Sequence, residues 1–206
     1  MPFGYTGQNQ PKQTVSNSGV FSITDVAELQ SQGKLGGSLE LIETQNATGV
    51  SVVDFTDLKN YDTHYVSFAG LETASNSQYT QMRFSNDGGT TFESGASAYQ
   101  RAVQYGGTNG AFGESRSVGI TSIGLLSFSN ANTPMNGYAY LSNLQNSSKY
   151  SFVTQHSSIG TLYFYWGAYS YPTAETINAI RILNNGSINF TAGTVSLFGL
   201  KDIWYE

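Results

Sequence analysis

A chain of 206 residues is the size of one domain and too short for two well-cored domains with a linker. Aromatic residues make up 14% of it and charged residues only 11%, while 74 positions are Ser, Thr, Asn or Gln and 23 are Gly, a balance that excludes disorder and a helical bundle and points to a turn-rich β protein. A net charge of -5 with dispersed Lys and Arg disfavours nucleic-acid binding, the absence of Cys excludes disulfides and thiol chemistry, and no apolar run reaches membrane-span length.

Residues 1–14 carry Pro2, Gly4, Gly7 and Pro11 and no hydrophobic periodicity, which predicts an extended arm with Phe3 and Tyr5 as its only large apolar groups. It has no basic stretch leading into an apolar one, so no signal peptide is expected. The segment Thr24 to Gly33 predicts a short helix, with Thr24 or Asp25 as N-cap, Glu28 near the third position and Gly33 as a stop. Val26 and Leu29 share its one apolar face. So short a helix needs something to rest on. Residues 1–37 are therefore read as an anchoring arm and residues 38–206 as a β-domain.

Short strands separated by turn residues follow. They are predicted at Ser38–Glu43, Val50–Phe55, around His64–Gly70, at Tyr79–Ser85, Ala98–Tyr105, Val118–Phe128, Tyr138–Leu144, Tyr150–His156, Thr161–Tyr171, Thr176–Leu183, Ser187–Phe190 and Thr194–Tyr205. About a dozen strands with one weak helix predict an all-β sandwich or jelly roll. The run Gly106 to Gly113 lacks the Gly-Lys-Ser/Thr ending of a phosphate loop and reads as a flexible exposed loop.

Asp87, Gly88 and Gly89 mark a tight turn, and Ser85 to Phe92 also fits the pattern S-x-D-x-G-x-T-[W/F] of an Asp-box, a structural hairpin turn. On a regular strand Glu40 and Glu43 point to opposite faces, and Asp54 reads as a solvated turn residue near Asp57, so no facing acid pair for glycoside hydrolysis is apparent and no enzyme is expected. His64 and His156 lack metal-site spacing and read as hydrogen-bonded or surface side chains. The N-x-S/T matches at Asn46, Asn146, Asn185 and Asn189 are expected by chance in so Asn-, Ser- and Thr-rich a chain. Strict alternation puts Tyr163, Tyr165, Tyr169 and Tyr171 on one side of a strand, with Phe164 and Trp166 on the other as core. Three readings stay open for the tyrosine row: a doubly covered core strand, a subunit interface, or a platform for sugar stacking.

The ending AIRILNNGSINFTAGTVSLFGL (Ala179 to Leu200) resembles the C-terminal part of concanavalin A-like lectin/glucanase jelly rolls, and more particularly that of small phage virion proteins from tail fibres and other appendages. RFSNDGGTTFESGASAY (Arg83 to Tyr99) is similar to a segment of those proteins, and the opening, Met1 to Gly37, is similar to the N-terminal part of structural proteins of marine tailed phages. The resemblance implies a jelly roll in a phage particle: a tail-fibre or adaptor component that docks on other virion proteins through its arm and contacts host-surface glycan. A capsid decoration (cement or head-fibre) protein and a glycan depolymerase are the alternatives. Closed homo-oligomeric assembly, such as a trimer, is what it implies for an appendage. Many lectins of this shape use calcium, but no Asp/Asn loop here has the spacing for it, so no cofactor is expected.

Overall fold

The computed structural model describes residues 39–76, 78–129, 131–160 and 163–200, together with Thr24, Ala27 and Glu28. Those three are helical, within the segment expected to form a helix; Phe3, Tyr5, Val26 and Leu29 lie outside the described residues. The rest is β-structure: β1 (Leu39–Asn46), β2 (Val52–Phe55), β3 (Thr63–Thr73), β4 (Gln78–Ser85), β5 (Tyr99–Gly107), β6 (Phe112–Ile120), β7 (Ile123–Ser129), β8 (Met135–Ser142), β9 (Ser151–Ile159), β10 (Tyr163–Tyr171), β11 (Ala179–Asn184) and β12 (Phe190–Leu200). A single 3-10 turn, Asn185–Ser187, precedes β12.

Every strand pairing is antiparallel. One sheet has eight strands in the order β1-β12-β3-β8-β9-β10-β5-β6, the other four in the order β2-β11-β4-β7. One core joins them: Val66, Phe68, Leu141, Val153 and Leu197 from the large sheet meet Phe55, Met82, Phe84, Ile180 and Ile182 from the small one. The chain is thus an all-β sandwich. Its amphipathic strands have one face in and one face out, as β9 shows by alternating buried and exposed residues along its whole length.

Several boundaries differ from the expected ones for local reasons. The single strand expected at Val118–Phe128 is two, β6 and β7, broken at Thr121 and Ser122, and these go to different sheets. Conversely, the two final strands merge into β12, and Ser187 belongs to the turn before it. Between those two strands lies a bulge: the pairing of β12 with β3 slips between Ala192 and Thr194, and Gly193 has φ 108°. Glu40 and Glu43 flank another bulge, where β1 slips against β12 between Leu41 and Glu43, so regular alternation does not hold across them.

The expected flexible loop at Gly106–Gly113 is a hairpin instead. Gly106 and Gly107 end β5, Phe112 and Gly113 open β6, and Gly107 N–H donates to the carbonyl of Ala111 at 2.8 Å. Its glycines make room for rings. A Cβ at Gly106 would lie 2.6 Å from Phe164 and 2.8 Å from Phe112, and one at Gly113 would lie 2.4 Å from Tyr105.

Candidate functional site

Strand register decides which side chains share the outer face of the eight-stranded sheet. One row runs Phe198, Tyr65, Tyr140, Thr154, Ala168, Ala102, Arg116 from β12 to β6. The next runs Ser196, Ser67, Tyr138, His156, Trp166, Gln104, Glu114. Rings therefore cluster at two places. Tyr65 lies 5.1 Å from Tyr140 and 5.8 Å from Phe198 between centroids, and Tyr138 lies 5.5 Å from His156. Towards the β6 edge, Trp166 stacks on Phe164 at 4.9 Å and 12°.

Between the rings the face is hollow because the intervening residues are small. Ala102 and Ala168 form a floor, with Phe152 on one side and Arg116 and Ser117 across from it, in a groove of about 540 Å³. It continues past Ala102 and Arg116 into a second hollow of about 340 Å³, bounded by Trp166, Gln104 and Glu114. The polar rim mixes Arg116 and Glu114 with uncharged groups, among them Ser170, whose hydroxyl donates to Gln100 Oε1 at 3.4 Å. Flat apolar rings beside amide and hydroxyl groups present what a sugar ring needs, a surface for its C–H face and partners for its hydroxyls.

This arrangement reverses part of the sequence reading. Tyr163, Tyr165, Tyr169 and Tyr171 do share one side of β10, but that side faces the other sheet. Tyr165, Tyr169 and Tyr171 are buried to within 4%. The Tyr165 and Tyr169 hydroxyls face each other at 3.3 Å, and burial, foremost, pushes the Tyr169 phenol well above its usual range. These three belong to the core and are not part of the sheet's outer face. Tyr163 alone of the row is exposed, at 39%, near the hairpin tip. Phe164 and Trp166, expected as core, stand on the outer face.

The turn at Asp87 is built as its sequence suggests. The Asp87 carboxylate accepts the Thr91 N–H at 2.9 Å, the Thr91 hydroxyl at 2.6 Å and the Ser85 hydroxyl at 2.7 Å. Gly88 and Gly89 have φ of 74° and 88°, the left-handed region where a Cβ is strained. Those donors, Thr91 foremost, hold the Asp87 carboxyl down at about 2. Because the folded value lies below the unfolded one near 3.8, the stabilisation is full above pH 4 and is lost as pH falls through about 2. An NMR titration should give an Asp87 midpoint near 2, with the Thr91 amide shift following it. In Asp87→Asn that pH-linked Thr91 shift should disappear.

Asp54 is no turn residue. It lies on β2 directly opposite Arg181 of β11, and the two form a bidentate pair at 2.7 and 2.6 Å. The guanidinium also sits 4.1 Å over the Phe92 ring, just past the Asp87 turn, so that turn is tied to the small sheet. The hydrogen bonds that the Arg181 guanidinium donates to the Asp54 carboxylate hold its pKa above the ordinary value. Asp57 pairs with Lys59 on the surface. Glu175 accepts from the Tyr171 hydroxyl at 2.5 Å and from Asn86 at 2.8 Å. His64 is fully buried, its Nε2–H donating to the Leu58 carbonyl at 2.7 Å, and burial lowers its pKa. His156 is exposed on the outer face, with Nδ1 3.3 Å from the Tyr138 hydroxyl. Among the described residues, no three His, Asp or Glu side chains are grouped to hold a metal ion.

No protein-family model matches this chain, and no curated protein sequence matches it.

Proposed function

We propose that this protein is a non-enzymatic component of a phage virion, in a tail fibre or adaptor, with a concanavalin A-like jelly roll displayed outward and residues 1–37 docking on other virion proteins. The displayed part contacts host-surface glycan through the outer face of its eight-stranded sheet. One observation carries the glycan reading: Phe152 and Trp166 stand beside a floor of Ala102 and Ala168, rimmed by hydroxyl and amide groups together with Arg116 and Glu114. The resemblance of the opening and closing segments to phage appendage proteins supports the virion setting. The low surface charge supports repeated packing in a particle, since burying each ion would cost several kcal/mol.

A glycan array probed with the full chain tests the surface. Wild-type protein should bind a subset of glycans, and Trp166→Ala should weaken that binding about tenfold, the worth of one aromatic contact of roughly 1.5 kcal/mol. Tyr169→Phe, altered in the core, should leave it unchanged. Wild-type protein that binds no glycan, or Trp166→Ala that binds as well as wild type, overturns the receptor part. Loss of residues 1–35 should abolish incorporation into particles; normal incorporation would refute the anchoring role. Electron microscopy of labelled particles separates tail from capsid surface, and release of reducing sugar from bound polysaccharide would favour a depolymerase.

A further inference from the structure

A second concavity lies on the other side of the large sheet. It is a cleft of about 450 Å³ between the sheets, where β7 of the small sheet meets β5 and β10 of the large one; Gln81, Arg101, Ser122, Gly124 and Tyr165 are among its lining residues. That volume is within the ~300–1,000 Å³ of small-molecule sites. Its lining includes an arginine on the inward face of β5.

Arg101 occupies an inward position on β5. Its neighbours at the same parity are the buried Tyr99 and Val103, and its cross-strand partner is the buried Tyr169. Apolar or tyrosyl side chains fill the other inward positions of β5, so a guanidinium there needs a reason. Among the described residues no carboxylate pairs with it: the two ion pairs are Lys59–Asp57 and Arg181–Asp54. Its Nε is buried and without a hydrogen-bond partner. A buried donor left unmade is costly, and a cationic one more so, unless an acceptor arrives from outside. The planar guanidinium fork matches a carboxylate in two-point contact.

The rest of the cleft suits a hydroxylated ring attached to such a group. The Ser122 and Gln81 side chains are polar, and the nearly buried Tyr165 backs the cleft, its hydroxyl 3.3 Å from that of Tyr169, which fills the space beside Gly124.

We propose that this inter-sheet cleft binds a carboxylate-bearing sugar, with Arg101 receiving the carboxylate and the Gln81 and Ser122 side chains receiving ring hydroxyls. The site lies across β5 from the outer-face groove, Arg101 bordering both, and its inward-facing lining of Gln81, Ser122 and Tyr165 is not shared with that groove, so its test is independent of the glycan reading there. The sugar comes either as a unit of an acidic polysaccharide or as a free uronic acid.

Titration of the full-length protein with glucuronate, followed by the arginine Nε–H signals in a ¹⁵N correlation spectrum, tests the proposal directly; the chain has four arginines. The Arg101 signal, assigned by its absence from Arg101→Lys, should shift saturably in wild-type protein. Calorimetry should show at least a tenfold loss of glucuronate affinity in Arg101→Gln and none in Trp166→Ala. Glucose should not bind the cleft, and acetate and inorganic sulfate should bind at least tenfold more weakly than glucuronate. An acidic oligosaccharide that binds more tightly than glucuronate identifies a polysaccharide as the source; equal affinity identifies the free acid. An Arg101 signal that does not move overturns the proposal even if Arg101→Gln does not fold. So does glucuronate binding that survives Arg101→Gln and disappears in Trp166→Ala, or acetate binding equal to that of glucuronate.

Discussion

Replacing Phe84 by Ala should cost about 3–5 kcal/mol of stability, read as a fall in the urea midpoint with little change in slope. Phe84 has no exposed surface. Its ring meets Tyr99 at 5.8 Å and 70° and Tyr171 at 5.9 Å and 82°, both from the opposite sheet, so it holds the two layers together. Its backbone is tied to the same partner. The pairing of β4 with β7 stops at Met82, and beyond it the Phe84 N–H donates to the Tyr99 hydroxyl at 2.9 Å. That hydroxyl in turn donates to the Glu93 carbonyl at 3.2 Å. Truncation therefore opens a cavity with walls that belong to two sheets and cannot collapse together. Tyr99→Phe keeps the ring but orphans the buried Phe84 N–H, and should cost about 1–3 kcal/mol. A loss for Phe84→Ala no larger than that for Tyr99→Phe would mean that the inter-sheet ring cluster contributes little.

Gly193→Ala should cost about 2–4 kcal/mol although it adds a single methyl group. At φ 108° any Cβ is strained, and here it would lie 2.6 Å from both the Gly70 carbonyl oxygen and the Leu71 Cα on β3. Both neighbours are backbone and cannot swing aside, so β3 itself must move at its longest pairing. Gly49→Ala is the matched control. Its φ of 81° is also left-handed, but nothing lies within 4 Å of a Cβ there, so it carries conformational strain alone. The difference between the two variants in chemical denaturation measures the overlap at the bulge. Equal losses would show that strain at positive φ accounts for both.

The sheet content was legible in the chain because alternation and turn chemistry are local. The Asp87 turn could be read to the residue, since an acid, two glycines and a threonine at fixed offsets are all such a turn requires. Which tyrosines of β10 share a side was equally legible. Which side is inside was not, because period-two alternation fixes a pair of faces without fixing what lies over either one. The cover comes from the small sheet, whose β4 and β7 are distant from β10 in sequence. A signal for the outer groove did exist, in that the tract Trp166-Gly167-Ala168 places small residues next to a large ring. Arg101 left a comparable mark, a charge at the parity of Tyr99 and Val103 within one strand. The pairing of Asp54 with Arg181 was out of reach, since 127 positions separate the two.

Both borders of the large sheet interrupt their own ladders. β1 is bulged between Leu41 and Glu43, and the β5–β6 pairing slips between Tyr99 and Arg101, while Glu114 and Arg116 stand on the outermost strand. A flat, uninterrupted margin invites another chain to continue the hydrogen-bonded ribbon, and kinks and charges make that costly. At high local concentration the two borders of this sheet are thus guarded against fibril-like, edge-on growth.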